Sequence, residues 1–292
     1  MHDILENLSA KTISCLDHGH VTIIDSMPRL VPYDRKTADY AIVQAARVSY
    51  GDGTKSVSED RGLIRYLMRH KHTTPFEMIE FKFHCKMPVF VARQWIRHRT
   101  ANINEYSGRY SIMRDEFYRP EISNVRSQSK TNKQGGDDQA DQQTASDFLE
   151  RVDAVCDQAY KSYESAVASG ISREQARMML PVSLYTEWYW KIDLHNLLHF
   201  LALRCDAHAQ QEIRVFADAI LELVKPIVPW TIEAWEDYND HRGAVRLTRL
   251  EVEALRRSLS GAKVSQIESD NSREKSEWAS KLGAMGLELG DS

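Results

Sequence analysis

The stretch IEFKFHCKMPVFVARQWIRHR, residues 79–99, changes its period halfway along. Phe81, Phe83 and Cys85 alternate with Lys82, His84 and Lys86, the two-residue rhythm of a half-buried strand. Pro88 then opens VFVARQWIRHR as a helix, on which Arg93 and Arg97 sit one turn apart and Gln94 neighbours Arg97. A strand runs straight into a helix, and the helix ends in a cluster of bases.

Short elements surround this switch. KTISCLDHGHVTIIDSM reads as two strands around Asp17-His18-Gly19, a hairpin. TADYAIVQAARVSY spaces Ala38, Ala41, Ile42, Ala45 and Val48 as a helix does. GDGTKS at 51–56 lacks the Gly-Lys-Ser order of a phosphate loop and follows no clear strand, so it is a turn. SEDRGLIRYLMRH gives a helix capped by Ser58, acidic in its first turn and basic in its last. In HTTPFEM, Thr74 to Glu77 fits a capping box with Pro75 at the first helical position, which would expose backbone N–H groups near Thr74. A second box, Ser172 to Gln175, leads into ARMMLP.

A long helix resumes at about 147 and stops at Gly170, and SLYTEWYWKI is a buried strand. Asp193 caps LHNLLHFLALR, and AHAQQEIRVFADAILELVK is the clearest amphipathic helix. Residues 127–146, SQSKTNKQGGDDQADQQTAS, have almost no apolar side chain and read as a mobile loop or insertion. Beyond about 245 the text is polar and charged, a separate tail that is partly helical or disordered and buries little apolar surface.

The bases raise the functional question. Residues 88–114 hold Arg93, Arg97, Arg99, Arg109 and Arg114, no lysine, and Glu105 as their one acid, in a chain of formal net charge -4. A solvated basic face would mix in lysine; arginine alone points to planar, bidentate recognition of phosphate or carboxylate. Capping of a helix C-terminus would explain one or two of them. Like charges one turn apart cost stability unless an anion joins them. The negative total argues against a general nucleic-acid binder, so the partner is a small anion in a pocket. Asn102, Asn104, Glu105 and Ser107 add short hydrogen-bonding side chains, and Gly108 lets backbone approach a ligand closely. Beside the arginines they read as a nucleotide pocket.

Cys15, Cys85, Cys156 and Cys205 are far apart and form no CxxC pair, which suits reduced thiols in a cytoplasmic protein. MHDILENLSAK lacks the apolar core of a signal peptide, and no stretch is apolar enough to span a bilayer. His195 and His199 are one turn apart and could share a metal, although HNLLH lacks the glutamate of HExxH. With Asp193, Asp206 and His208 nearby, a metal-dependent phosphohydrolase is the alternative reading, and structural histidines are the plainer one.

Together these residues resemble the flavin-dependent thymidylate synthases. That family's signature, RHRxxSxNExSxR, reads RHRTANINEYSGR here, with Asn102 where serine is usual. HTTPFE, RMMLP and YTEWYWKIDLHNLLHFLALRCDAHAQQEIR stand in the family's order, so the resemblance covers about residues 10 to 240. It implies an α+β fold, a helix-flanked mixed or antiparallel sheet in a single catalytic domain over 1–244, with 245–292 as the tail. A doubly wound nucleotide fold is not expected, since no GxGxxG follows a strand. The resemblance further implies that dUMP becomes dTMP, with a methylene from methylenetetrahydrofolate and reducing equivalents from NADPH through FAD. No metal, nucleic acid or membrane is implied, but a homotetramer is, each active site drawing on several subunits.

By the same resemblance Gln94, Arg97, Glu105, Ser107, Gly108, Arg109, Arg177 and Arg204 hold dUMP. The matching flavin positions are Thr74, Arg97, His98, Arg99, Glu105, Asp193, His195 and His199, and His72 stands near flavin and folate. Uracil C5 becomes nucleophilic only if negative charge can develop on the ring, and Arg204 is the catalytic candidate for stabilising it. No cysteine lies in the signature, in keeping with a family that uses no cysteine nucleophile; Ser107 is assigned to binding.

Overall fold

The computed structural model describes residues 1–6, 11–48, 60–130, 135–238, 245–259, 264, 266–267, 272–287 and 289. The expected turn at 51–56 and the Ser58 cap lie outside them. The chain divides into two units, Met1–Asn239 and Asp240–Ser292. In the first, strands β1 (Thr12–Cys15), β2 (Gly19–Met27), β3 (Glu80–Pro88), β4 (Asn102–Glu105) and β5 (Tyr185–Asp193) make one sheet in the order β1-β2-β3-β5-β4. Every pairing in it is antiparallel. Its helices include α1 (Asp39–Arg47), α2 (Asp60–Arg69), α3 (Thr74–Glu77), α4 (Val89–Trp95), α5 (Gln142–Ala168), α6 (Leu194–Arg204), α7 (Gln211–Val224) and α8 (Pro229–Tyr238). The architecture is α+β, with the antiparallel sheet as the form taken.

Alternation decides the faces of the sheet. Phe83 opposes Ile23 and Trp190, Cys85 opposes Val21 and Trp188, and all six are buried. Lys82, His84 and Lys86 point the other way and stay half-buried. Trp95, the last residue of α4, meets Trp188 and Trp190 edge-on at 5.5 and 5.1 Å. It also stacks on Phe200 of α6 at 5.0 Å and tilts against Phe216 of α7 at 6.0 Å. The buried face of the sheet is thus covered by α4, α6 and α7. Each such side chain removed from water contributes about 1.5–3 kcal/mol.

Several boundaries differ from the sequence reading. Helix α4 stops at Trp95 and does not run to Arg99, because Arg97 N and His98 N bond back three residues, to Gln94 O (3.3 Å) and Trp95 O (3.0 Å). The RHR triplet therefore occupies a tight turn, and Arg93 and Arg97 do not share a helix face. The polar segment Asn102–Glu105 is a strand: it pairs from Lys191 to Trp188 on the open edge of β5. An available edge outweighs the missing alternation.

The capping box expected at Thr74 does not form. Thr73 precedes α3 with helical backbone angles and makes no side-chain cap. Ser172 caps no backbone N–H either; its hydroxyl reaches Gln175 Oε1 at 3.5 Å. Helix α5 begins earlier than expected, since Asp141 accepts from Thr144 N at 3.0 Å, and it ends before Gly170, whose φ is +85°. The stretch expected to be a structureless insertion contributes to a two-stranded ribbon, Arg126–Gln128 against Gly136–Gln139.

Helix α8, not foreseen from sequence, is received by a buried carboxylate. Asp39 Oδ1 accepts from Thr231 N (3.1 Å) and Thr231 Oγ1 (2.6 Å), and Oδ2 accepts from Trp230 N (3.0 Å) and Thr37 Oγ1 (3.2 Å). Burial pushes the Asp39 carboxyl up to about 6, against the pull of these four donors. The folded chain thus holds this proton more tightly than an unfolded chain, whose aspartates titrate near 4. The group's contribution to stability is therefore full below about pH 4 and is lost as pH rises through about 6. Asp39→Ala should lower the unfolding free energy by about 1–3 kcal/mol, because helix N–H groups are left buried without acceptors. Denaturant unfolding at pH 4 and pH 7 should show the larger loss at pH 4. Equal losses would remove the titration from the account.

The second unit has α9 (Arg249–Leu259) and α10 (Ser272–Ala284). Contrary to the expectation of little apolar burial, Ala254, Ile267, Trp278 and Leu282 form a buried cluster of their own. Glu251 anchors it by accepting from Lys281 Nζ at 2.7 and 3.0 Å. Among the described residues no helix is long and apolar enough to cross a membrane.

Candidate active site

The end of α6 and the turn after α4 meet at one corner. Arg204, the last residue of α6, donates from Nε to His98 Nε2 at 3.0 Å. The His98 ring lies edge-on to Phe200 at 5.0 Å and 5.9 Å from His199. Burial first, then the charges of Arg204 and His199, hold His98 down at about 4, so the ring is neutral at pH 7 and free to accept. Burial also lowers Arg204 from its ordinary value. Gln94 bonds through Nε2 to Gln210 Oε1, immediately before α7. Arg97 and Arg99 flank His98, are exposed, and pair with no carboxylate among the described residues.

A second group follows β4. Glu105 accepts from Thr186 Oγ1 at 2.8 Å, which ties the strand's end to β5. Ser107 Oγ accepts from Arg109 N at 3.3 Å. Arg109 and Arg177, both exposed, converge on Glu174: Arg109 Nε lies 3.3 Å from its carboxylate, and Arg177 Nε donates to its carbonyl at 3.4 Å. A Cβ on Gly108 would stand 2.8 Å from Met113 Sδ and 3.3 Å from Arg177 Cδ. A side chain there would have to displace Met113 or Arg177, so the glycine also serves packing within the chain, a demand the sequence did not show. Arg114 leaves the group and faces Glu187 at 3.7 Å. The five arginines are therefore not one cluster.

The remaining flavin candidates lie along α6 and beside it. Asp193 is occupied as the helix cap, accepting from Asn196 N at 2.9 Å and Asn196 Nδ2 at 2.7 Å. His195 is half-buried and His199 exposed. Helix α3, which carries exposed Thr74, packs against α6, and Leu194 N donates to Ile79 O at 2.8 Å to close that junction. His72 is exposed, its ring 5.9 Å from that of Tyr66. Asp206 accepts from the backbone N of His208 at 2.7 Å and lies 2.9 Å from its Nδ1. Among the described residues no three His, Cys, Asp or Glu side chains are grouped as a metal site requires.

Sequence reasoning missed Glu174, Thr186 and Gln210 as parts of these groups. Glu174 had shown only as a member of a capping box, and Thr186 only as a strand residue. Gln210 carried no signal beyond its place at the head of an amphipathic helix.

The sequence profile of the family described as thymidylate synthase complementing protein matches residues 29–230. The chain is 54% identical over 280 residues to a flavin-dependent thymidylate synthase of Dictyostelium discoideum, covering 96% of this chain and 89% of that protein. It is 52% identical over 282 residues to one of Gluconobacter oxydans, covering 95% and 89%. Among solved structures, a UMP/dUMP methylase of Streptomyces cacaoi bound with 5-Br dUMP superposes with a TM-score of 0.67 at 32% identity. That match covers 77% of this chain and 98% of the other.

Proposed function

The chain belongs to the thymidylate synthase complementing protein family, the flavin-dependent thymidylate synthases, and on that premise we propose how its residues carry out the reaction. The enzyme converts dUMP to dTMP with methylenetetrahydrofolate as carbon donor, FAD as cofactor and NADPH as reductant. Bound FAD, reduced by NADPH, supplies the hydride. The protein supplies binding, orientation and electrostatics.

The observation that carries the residue assignment is the corner where the RHR turn meets the end of α6. Arg97 and Arg99 are exposed guanidiniums without a carboxylate partner among the described residues, which suits the diphosphate of FAD. By the same assignment Thr74, His98, Glu105, His195 and His199 contact the flavin, and His72 stands near flavin and folate. Asp193 acts indirectly, by fixing the first turn of α6. The dUMP phosphate goes to the paired forks of Arg109 and Arg177, and Ser107 and Gly108 shape the turn beneath it. Gln94, Arg97 and Glu105 address the nucleoside, and Arg204 faces uracil. C5 can attack the methylene carbon only once the ring is activated, with negative charge on its N3–C4=O edge, and a half-buried guanidinium stabilises that activated uracil more than one in water would.

We place the active sites at subunit interfaces of a homotetramer. Tyr110, Ile112, Met178, Met179 and Val182 are 75, 52, 79, 47 and 62% exposed, apolar, and sequence neighbours of Arg109 and Arg177. Such a patch beside phosphate-binding arginines fits contact with another subunit. The catalytic domain is assigned to residues 1–244 and the tail to 245–292. Buried cysteines outside any disulfide fit a cytoplasmic enzyme.

The purified protein should be yellow, and NADPH should bleach its visible absorption, while a chelator should leave turnover intact. A colourless protein whose activity depends on an added divalent ion would instead favour the phosphohydrolase.

A further inference from the structure

We propose that His98 is the positioning residue for Arg204: its unprotonated Nε2 holds the Arg204 Nε–H and leaves the two terminal amino groups to face uracil. The proposal rests on the assignment of Arg204 to the uracil ring and adds what aims it.

Arg204 closes α6, and a guanidinium on a free four-torsion side chain would sample many directions. The 3.0 Å bond from Nε to His98 removes most of that freedom. His98 is itself held, by its backbone bond to Trp95 O at 3.0 Å and by the edge of Phe200 at 5.0 Å, and Trp95 is fully buried in the core. The aim of Arg204 is thus set from the sheet outward.

The chemistry of the anchor matters as much as its position. Arginine is more often anchored by a carboxylate, which would cancel part of the charge meant for the uracil oxyanion. A neutral imidazole fixes the fork and leaves the charge whole. For this, Nε2 must carry no proton, so the ring must be the Nδ1–H tautomer. The groups that bear on it from α6, Arg204 and His199, both disfavour imidazolium, as does burial.

The test is ¹⁵N NMR of the holoenzyme with labelled histidine from pH 5 to 9, the His98 signal being identified by its loss in His98→Gln. We expect a pyridine-like Nε2 and a protonated Nδ1 across that range. In Arg204→Ala, the midpoint should rise toward the ordinary value near 6.5 and Nε2–H should appear. The kinetic arm is single turnover at saturating FAD, dUMP and folate, with flavin content read by absorbance. Per bound flavin, His98→Gln, which keeps an acceptor near the Nε2 position, should turn over faster than His98→Leu, which should slow by the same roughly hundredfold as Arg204→Ala. An Nε2–H tautomer in the wild type, titration near 6.5, or a wild-type rate in flavin-loaded His98→Leu overturns the proposal. Should His98→Leu lose its flavin, the NMR arm decides alone. Should the tautomer hold while Arg204→Ala turns over normally, the assignment of Arg204 to uracil falls and its contact with His98 stands.

Discussion

Arg204→Ala should fold, keep its FAD and still be reduced by NADPH, yet form dTMP at least about a hundredfold more slowly. Uracil is a poor carbon nucleophile until charge can develop along N3–C4=O, and Arg204, a half-buried cation bonded to His98, is the group we assign to stabilise that charge. Loss of one preorganised donor to a developing oxyanion costs roughly 2.7–4 kcal/mol in comparable sites. An interaction that strengthens only in the transition state lowers kcat and kcat/KM together when removed. Ground-state contact with dUMP adds some loss of binding, so the measurement is single turnover with pre-reduced flavin and saturating dUMP and folate. A wild-type rate there would confine Arg204 to binding and move activation elsewhere in the pocket.

Arg109→Lys and Arg177→Lys should each weaken dUMP while leaving flavin in place. Lysine keeps the charge but loses the planar fork, and about 1.5–3 kcal/mol goes with each charged hydrogen bond lost. That corresponds to roughly a ten- to hundredfold rise in Kd, readable by titration. In the structure Arg109 faces the Glu174 carboxylate and Arg177 donates to the backbone carbonyl of the same residue, so the two guanidiniums proposed for the phosphate share one neighbour. Wild-type affinity in either variant would remove that residue from the phosphate site.

What could be read from sequence and what could not separate along a physical line. Period-two and helical patterns over long stretches report burial directly, so β3, β5, α6 and α7 were legible, as were Asp193 as a cap and Gly170 as a stop. β4 was not, because NINE has no alternation and owes its conformation to the open edge of β5. The end of α4 was hidden too: the chain turns where buried Trp95 locks into the aromatic core, and the bases after it had seemed to extend the helix. Asp39 carried no signal of its role, because its partners on α8 lie 191 and 192 positions away. The second unit's core needs Ala254, Ile267, Trp278 and Leu282 together, apolar residues too sparse to register in a polar text.

The site divides in the same way. The signature made the residue types and their order legible, including both arginine groups. It could not show that Arg114 turns to Glu187, that Gly108 makes room for Arg177, or that Arg204 and His98, 106 positions apart, share a bond. Those facts belong to tertiary packing, which brings together segments whose local sequence carries no trace of one another.

Anaerobic incubation of the purified enzyme with dUMP, methylenetetrahydrofolate and NADPH, with all folate products quantified, tests the assigned chemistry most directly. When hydride reaches the transferred carbon through flavin, the folate gives up only its methylene and leaves unoxidised. The expected result is dTMP and tetrahydrofolate in equal amounts, dependent on NADPH and on bound FAD. Dihydrofolate equal to dTMP with no need for NADPH, or no dTMP from a fully flavin-loaded enzyme, would contradict it.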